Sequence, residues 1–207
     1  MLPATDLLRP VLILGWFARS KMNYIRINKS SVTEGPGIRL TLFVSGCRNH
    51  CPGCHNSDTW CFAAGEPFTE DTLGFILYHL SKPYIAGLSI CGGEPFEPEN
   101  QEGLVPLLRA VHRAFPEKPV WCYTGYEWED LLEGGRKHTP DTAEFLSYMQ
   151  ALVAGPYKQE QRDITDSNRW RGSRNQRVLD VQKSLSSGFP VAFAGVPNNE
   201  VKKAEDR

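Results

Sequence analysis

The sequence predicts an α/β fold with a parallel sheet built of right-handed β–α units, and three observations carry that expectation. Segments rich in β-branched and aromatic residues alternate with amphipathic stretches along the chain, the pattern of repeated strand–helix units. The length, 207 residues with 41% hydrophobic and 23% charged, suits one soluble domain with a sizeable core. No fixed-period repeat, low-complexity tract or linker divides the chain.

In chain order, "YIRI" (24–27) is a short alternating segment, followed by the turn-rich "NKSSVTEGPGIR". There Gly35, Pro36 and Gly37 allow a simple turn or a close passage of backbone against another element. "RLTLFVSG" (39–46) reads as a buried strand running straight into a cysteine-rich loop. Residues 69–82 form an amphipathic helix with Thr69 as N-cap and acids in the first turn. "GLSICGGEP" (87–95) is a second strand ending in a glycine pair, and residues 100–115 are helical with an early kink at Pro106. "KPVWCYTGY" (118–126) is a third strand with the short helix "EWEDLLE" after it. Residues 141–150 give another helix and "ALVAGPY" (151–157) a fourth strand. The stretch after Lys183 is turn-rich, then charged, and is expected to be loosely held.

Charge and cysteine usage narrow the function classes. A formal net charge of −1 argues against a nucleic-acid binder that works through bulk positive charge. Six cysteines could make three disulfides, but secreted scaffolds are shorter and do not bunch cysteines in one loop. Bunching points to metal in a reducing compartment. Cys61, Cys91 and Cys122 stand apart and read as small buried hydrophobes. "RPVLILGWFAR" holds about nine apolar-leaning residues, short of the roughly 20 needed to span a bilayer. Asp6 precedes it and no A-x-A pattern follows, so a secretion signal is not indicated either. Met22 opens a stretch that reads as a domain start, leaving 1–21 as an extension or an upstream-start artefact.

The chemistry concentrates in "SGCRNHCPGCHN", where Cys47, Cys51 and Cys54 fall within eight positions. This loop follows the carboxyl end of the first long strand, and Gly92–Gly93 follows the next. Ligands of α/β folds collect at that edge, so the two loops can face one bound molecule. Structural zinc takes four protein ligands: Cys51 and Cys54 could be one pair, and the second would have to draw on Cys47, His50, His55 or Cys61. A cubane iron–sulfur cluster takes one thiolate per iron, and three thiolates leave one iron open to an outside ligand.

C-x₃-C-x₂-C followed by the ring residue His55 resembles the signature of the radical S-adenosylmethionine (SAM) superfamily, and "CGGEP" (91–95) is similar to its glycine-rich strand end. Four stretches, "EGPGIRLTLFVSGC", "CPGCHNSDTW", "LSICGGEPFEPEN" and "RWRGSRNQRVLD", resemble the activating-protein family of anaerobic (class III) ribonucleoside-triphosphate reductases over residues 22 to 181. The resemblance implies that Cys47, Cys51 and Cys54 hold one 4Fe–4S cluster whose open iron chelates the amino and carboxylate groups of SAM. Gly53, Cys54, His55, Gly92, Gly93 and Glu94 would contact SAM, the glycines by close backbone approach and Glu94 as an anionic partner for the ammonium. "RGSRNQR" (171–177) separates this family from its relatives. By charge alone Arg169, Arg171, Arg174 and Arg177 read as a solvated face; the resemblance makes the segment a partner or cofactor contact. Ala154 stands where the family often has an acid.

The resemblance also implies a mechanism. One electron from a donor such as reduced flavodoxin cleaves SAM to methionine and a 5′-deoxyadenosyl radical, which takes hydrogen from a glycine of the reductase. No side chain is then needed as a general base, and no Ser–His–Asp or paired-carboxylate pattern is evident. The implied fold is a partial, laterally open (β/α) barrel of the radical SAM type, since a closed eight-unit barrel takes about 250 residues. The implied organisation is an extension (1–21), a radical SAM domain (22–182) and a tail (183–207), in a cytoplasmic enzyme with no membrane or nucleic-acid partner. Neighbouring readings are a pyruvate formate-lyase activating enzyme, a radical SAM enzyme of 7-deazaguanine biosynthesis, and a zinc-stabilised binding module.

Overall fold

Four strands whose residues are nearly all buried form the middle of the structure, a computed structural model that describes residues 22–162 and 170–196. They are β2 (Arg39–Val44), β4 (Gly87–Gly92), β5 (Val120–Tyr123) and β6 (Ala151–Ala154), all parallel. Covered on both faces, they read as near-continuous apolar runs rather than strict alternations. With β1 (Asn23–Ser31), β3 (Glu66–Pro67) and β7 (Arg177–Asp180), the full order is β3-β1-β2-β4-β5-β6-β7, seven strands whose two outermost members do not pair with each other, so the sheet is not closed. Three strands depart from the expected all-parallel arrangement. β1 pairs antiparallel with β2, β3 with β1, and β7 with β6. β1 and β2 are joined by a short loop, which only antiparallel neighbours allow.

Alternation along the strands separates two faces. Leu40, Leu42, Leu88, Ile90, Cys122 and Leu152 point to a core shared with the helices. That core is closed by α1 (Glu70–Leu80), α2 (Pro98–Ala114), α3 (Trp128–Leu131) and α4 (Thr142–Ser147). Thr69 caps α1 as expected, in a reciprocal box with Thr72, and Leu73, Ile76 and Leu80 turn inward at helical spacing. α2 starts two residues earlier than expected, because Pro98 fits the first helical turn where no N–H is needed.

The opposite face carries Trp121, Ala151, Val153 and Val178, covered by Trp170, Phe193 and Val196. Phe193 meets Trp121 edge-on with ring centroids 5.1 Å apart. Residues 184–196 are therefore not loosely held. α5 (Val181–Ser187) turns the chain back at Gly188, and Phe193 N–H donates to Val178 O at 2.8 Å. The aromatic residues in this turn-rich stretch supply the apolar area that anchors it. Residues 1–21 and 197–207 and Arg169 lie outside the described residues.

Arg39 pins the amino ends of the central strands. Its fully buried guanidinium donates to Ser89 Oγ, Leu88 O and Pro119 O, each at 2.7 Å. Burial lowers its pKa to about 10. The close passage expected at Gly35 occurs here: a Cβ would lie 2.9 Å from Arg39 Cδ and 3.1 Å from Trp121 Cδ2.

Candidate active site

The cysteine loop is fastened at both ends before it reaches its first cysteine. Beyond β2, Gly46 N–H donates to Thr59 O at 2.7 Å and Cys47 N–H to Trp60 O at 3.0 Å. Gly46 has φ +94°, a conformation that suits glycine, and a side chain there would enter the Phe62 ring. A second turn, closed by Cys54 N–H to Cys51 O at 3.1 Å, places Gly53 at φ +70° against Gln159. Cys47 is buried, while Cys51 and Cys54 are half-buried.

All three cysteines line one cavity of about 830 Å³ at the carboxyl edge of the sheet. That volume is within the range of small-molecule sites. His55, Gly92, Gly93 and Glu94 line it too, so the structure brings together seven of the eight site positions singled out from the sequence. Gly53 is the exception among them: it forms the turn behind Cys54 and is not part of the cavity wall. Cys91 reaches the cavity from β4, and Cys91 and Cys122 are buried as expected. Cys61 is exposed, contrary to expectation, because it lies in the surface turn closed by Ala64 N–H to Cys61 O.

The glycine pair has a use within the chain itself. A Cβ on Gly92 would lie 2.8 Å from the Phe43 and Val44 backbone, and one on Gly93 would strike the Gly46 carbonyl. The two strand ends are laced by Gly93 N–H to Val44 O and Glu94 N–H to Gly46 O, both 2.8 Å. Glu94 is likewise occupied. Its Oε1 accepts from Thr124 Oγ1 (2.8 Å) and Phe96 N–H (3.0 Å), and its Oε2 from Gly125 N–H (2.8 Å) and Asn49 Nδ2 (3.1 Å). Burial drives the Glu94 pKa up to about 7 against the pull of those bonds. In this geometry its carboxylate braces the cysteine loop. Asn100, not singled out from the sequence, extends the brace by donating to Ser45 O and Glu94 O, both at 2.9 Å.

The arginine-rich segment lies on the far wall. Arg171, Gly172 and Gln176 line the cavity beside Tyr157, Arg162 and Trp170. Gln176 donates to Gly155 O at 2.9 Å, and Asn175 to Pro156 O at 2.8 Å, so the segment is a folded loop buttressing the end of β6. Arg177 pairs with Glu127 at 2.7 Å and Glu129 at 3.2 Å. Among the described arginines of the segment, the solvated-face reading fits Arg174 alone, since Arg171 is 8% exposed and Arg177 is ion-paired. A four-residue strand flanked by charges gave little periodic signal in the sequence.

The donor set fits an iron–sulfur cluster. Burial pushes the Cys47 thiol up to about 11 and the Cys51 thiol above its usual value, so bare thiolates are disfavoured there and need a cation close by. Among the described residues no three His, Cys, Asp or Glu side chains converge to hold a single metal ion. A cubane, with a separate iron for each thiolate, spreads its ligands more widely than one tetrahedral zinc.

Comparison with known proteins agrees. The family model described as "4Fe-4S single cluster domain" matches residues 33–179. The chain is 40% identical over 157 residues to the anaerobic ribonucleoside-triphosphate reductase-activating protein of Enterobacteria phage T4, covering 76% of this chain and 93% of that protein. The proteins of the same name from Haemophilus influenzae and Escherichia coli K12 are 39% and 35% identical over 159 residues, each alignment covering 76% of this chain and 97% of the relative. No helix among the described residues is long and apolar enough to cross a membrane. The chain carries a 4Fe–4S single-cluster domain and belongs to the family of anaerobic ribonucleoside-triphosphate reductase-activating proteins.

Proposed function

We propose that the chain is a radical SAM activase that generates a glycyl radical on an anaerobic ribonucleoside-triphosphate reductase. The observation that carries this reading is the convergence of Cys47, Cys51 and Cys54 with the Gly92–Glu94 strand end on one cavity. Cys47, Cys51 and Cys54 would hold the cluster, leaving one iron without a protein thiolate. When bound, the cluster and SAM supply one-electron cleavage of the sulfonium C–S bond, with methionine leaving and a hydrogen atom of the target glycine ending on 5′-deoxyadenosine.

The remaining work belongs to the chain. Glu94 and Asn100 hold the cysteine loop against the second strand end, keeping Cys47 at the cavity wall. His55, whose ring lies 5.2 Å from that of Tyr157, flanks the same wall and is suited to contacting the cofactor. Gly53 sets the turn that presents Cys54. Arg162 and Arg171 place cationic groups on the opposite side. The open sheet, read as a partial (β/α) barrel, leaves a side through which a loop of another protein can reach the cavity. Reduced flavodoxin, or a similar low-potential donor, would provide the electron in the cytoplasm. The radical SAM domain is taken as 22–182, with the rest outside the chemistry.

The test is anaerobic reconstitution, followed by iron and sulfide determination and an assay for methionine and 5′-deoxyadenosine with a chemical reductant. One 4Fe–4S cluster per chain and SAM-dependent release of both products are expected. Stoichiometric zinc with no iron would overturn the reading.

A further inference from the structure

The carboxylate of Glu97 is fully buried at the start of α2, yet it makes no capping bond to its own helix. An acid at a helix N-terminus ordinarily bonds the free N–H groups of the first turn. This one turns away, toward the cysteine loop. Its Oε1 accepts from the Arg48 backbone N–H at 3.1 Å and from the Tyr126 hydroxyl at 3.3 Å. Its Oε2 accepts from Arg48 Nη1 at 2.6 Å and from Lys137 Nζ at 2.8 Å. Arg48 is the residue after Cys47, so the anchored N–H belongs to the peptide that Cys47 itself begins.

We propose that Glu97 is a positioning residue for Cys47, fixing the Cys47–Asn49 turn and setting the charge beside it through Arg48 and Lys137. The inference rests on the cluster-binding reading above for its electrostatic half, and on the chain alone for its positional half.

Four donors meet two oxygens, and two of those donors are cationic. A carboxylate satisfies all four; a carboxamide of the same shape turns an N–H₂ group toward at least one of them. Arg48 is further fixed from outside, by Glu99 at 2.6 Å and by the Phe62 ring 4.3 Å from its guanidinium carbon. Glu97 thus joins four stretches: the cysteine loop, the start of α2, the loop after β5 that carries Tyr126 and the loop before α4 that carries Lys137. The net charge and hydrogen bonding around an iron–sulfur cluster are levers on its reduction potential. Removing the Glu97 charge leaves Lys137 without its carboxylate and Arg48 with Glu99 alone, a net gain of positive charge that favours the reduced, more negative cluster. Removing Lys137 has the opposite sign.

The experiment uses the full chain, anaerobically reconstituted, with Glu97→Gln and Lys137→Met as variants. Two quantities are read: amide exchange of residues 47–49 by mass spectrometry, and the cluster midpoint by redox titration. For Glu97→Gln, exchange is expected to rise about tenfold as the turn opens locally, and the midpoint to move positive. For Lys137→Met, the midpoint is expected to move negative with exchange unchanged. A merely structural role would not displace the two midpoints in opposite directions. Parent-like exchange and midpoint in Glu97→Gln would overturn the proposal, as would displacement of both variants in the same direction. Should Glu97→Gln fail to fold, Lys137→Met decides: a negative displacement supports the proposal and an unmoved midpoint refutes it. Failure of the parent to take up iron would refute the activase reading instead, while exchange at Arg48 in the cluster-free chain would still test the positional half.

Discussion

Replacing Gly93 with alanine places one methyl group where the two cavity-forming strand ends meet. Its Cβ would strike the Gly46 carbonyl oxygen and lie 2.9 Å from Gly46 C and 3.1 Å from Gly46 N. These atoms are backbone and cannot rotate away, so the cysteine loop itself must shift. Forcing an extra methyl into packed surroundings costs about 1–3 kcal/mol. The Glu94 N–H to Gly46 O bond that the shift breaks adds about 0.5–1.5 kcal/mol. A total of about 2–4 kcal/mol lowers Tm by roughly 5–15 °C in a chain of this length. Gly46 precedes Cys47, so cluster content should fall as well. The resemblance assigned Gly93 to close approach of SAM, but in the structure the nearest obstacle to a side chain there is the neighbouring strand end. The assay is anaerobic thermal denaturation with iron and sulfide counted per chain. Full iron content and a Tm within about 1 °C of the parent would refute the reasoning.

Three further outcomes are expected. Cys47→Ala, Cys51→Ala and Cys54→Ala each lose the 4Fe–4S absorption, whereas Cys61→Ala, Cys91→Ala and Cys122→Ala retain it, as iron analysis will show. Arg39→Met removes a buried cation's bonds to Ser89 and to the Leu88 and Pro119 carbonyls, and should cost about 3 kcal/mol by denaturant unfolding while leaving the cysteines able to bind iron. Arg171→Ala should reduce glycyl-radical yield with the cluster spectrum intact, whereas Asn175→Ala should also lower Tm, because its amide holds Pro156 O. For Arg171→Ala, normal 5′-deoxyadenosine formation without reductase would place the residue at the protein interface, and its loss would place it at the cofactor.

The parts of this fold that local chemistry dictates were legible in the sequence. Thr69 before an acidic first turn announced α1, and near-continuous apolar runs announced β2 and β4. The cysteine loop and the glycine pair could be assigned to one sheet edge because each follows a strand. What escaped depends on partners distant in sequence. Arg39 looks like a surface cation until the carbonyls of residues 88 and 119 are brought to it. Glu97 and Asn100 look like solvated helix residues, and only the fold turns them onto residues 45–48. β7 is four residues long and pairs antiparallel, so it offers neither period nor a β–α unit to recognise. The same holds for residues 191–196, whose strand-like bonds form only once β7 is in place.

The most direct test of the central claim is electron paramagnetic resonance on an anaerobic ribonucleoside-triphosphate reductase incubated with this chain, SAM and a reductant without oxygen. A glycyl doublet on the reductase is expected that requires all three additions and disappears with Cys47→Ala. A reductase left without a doublet by a chain that holds its full cluster and cleaves SAM would contradict that claim, as would a doublet that survives the loss of Cys47.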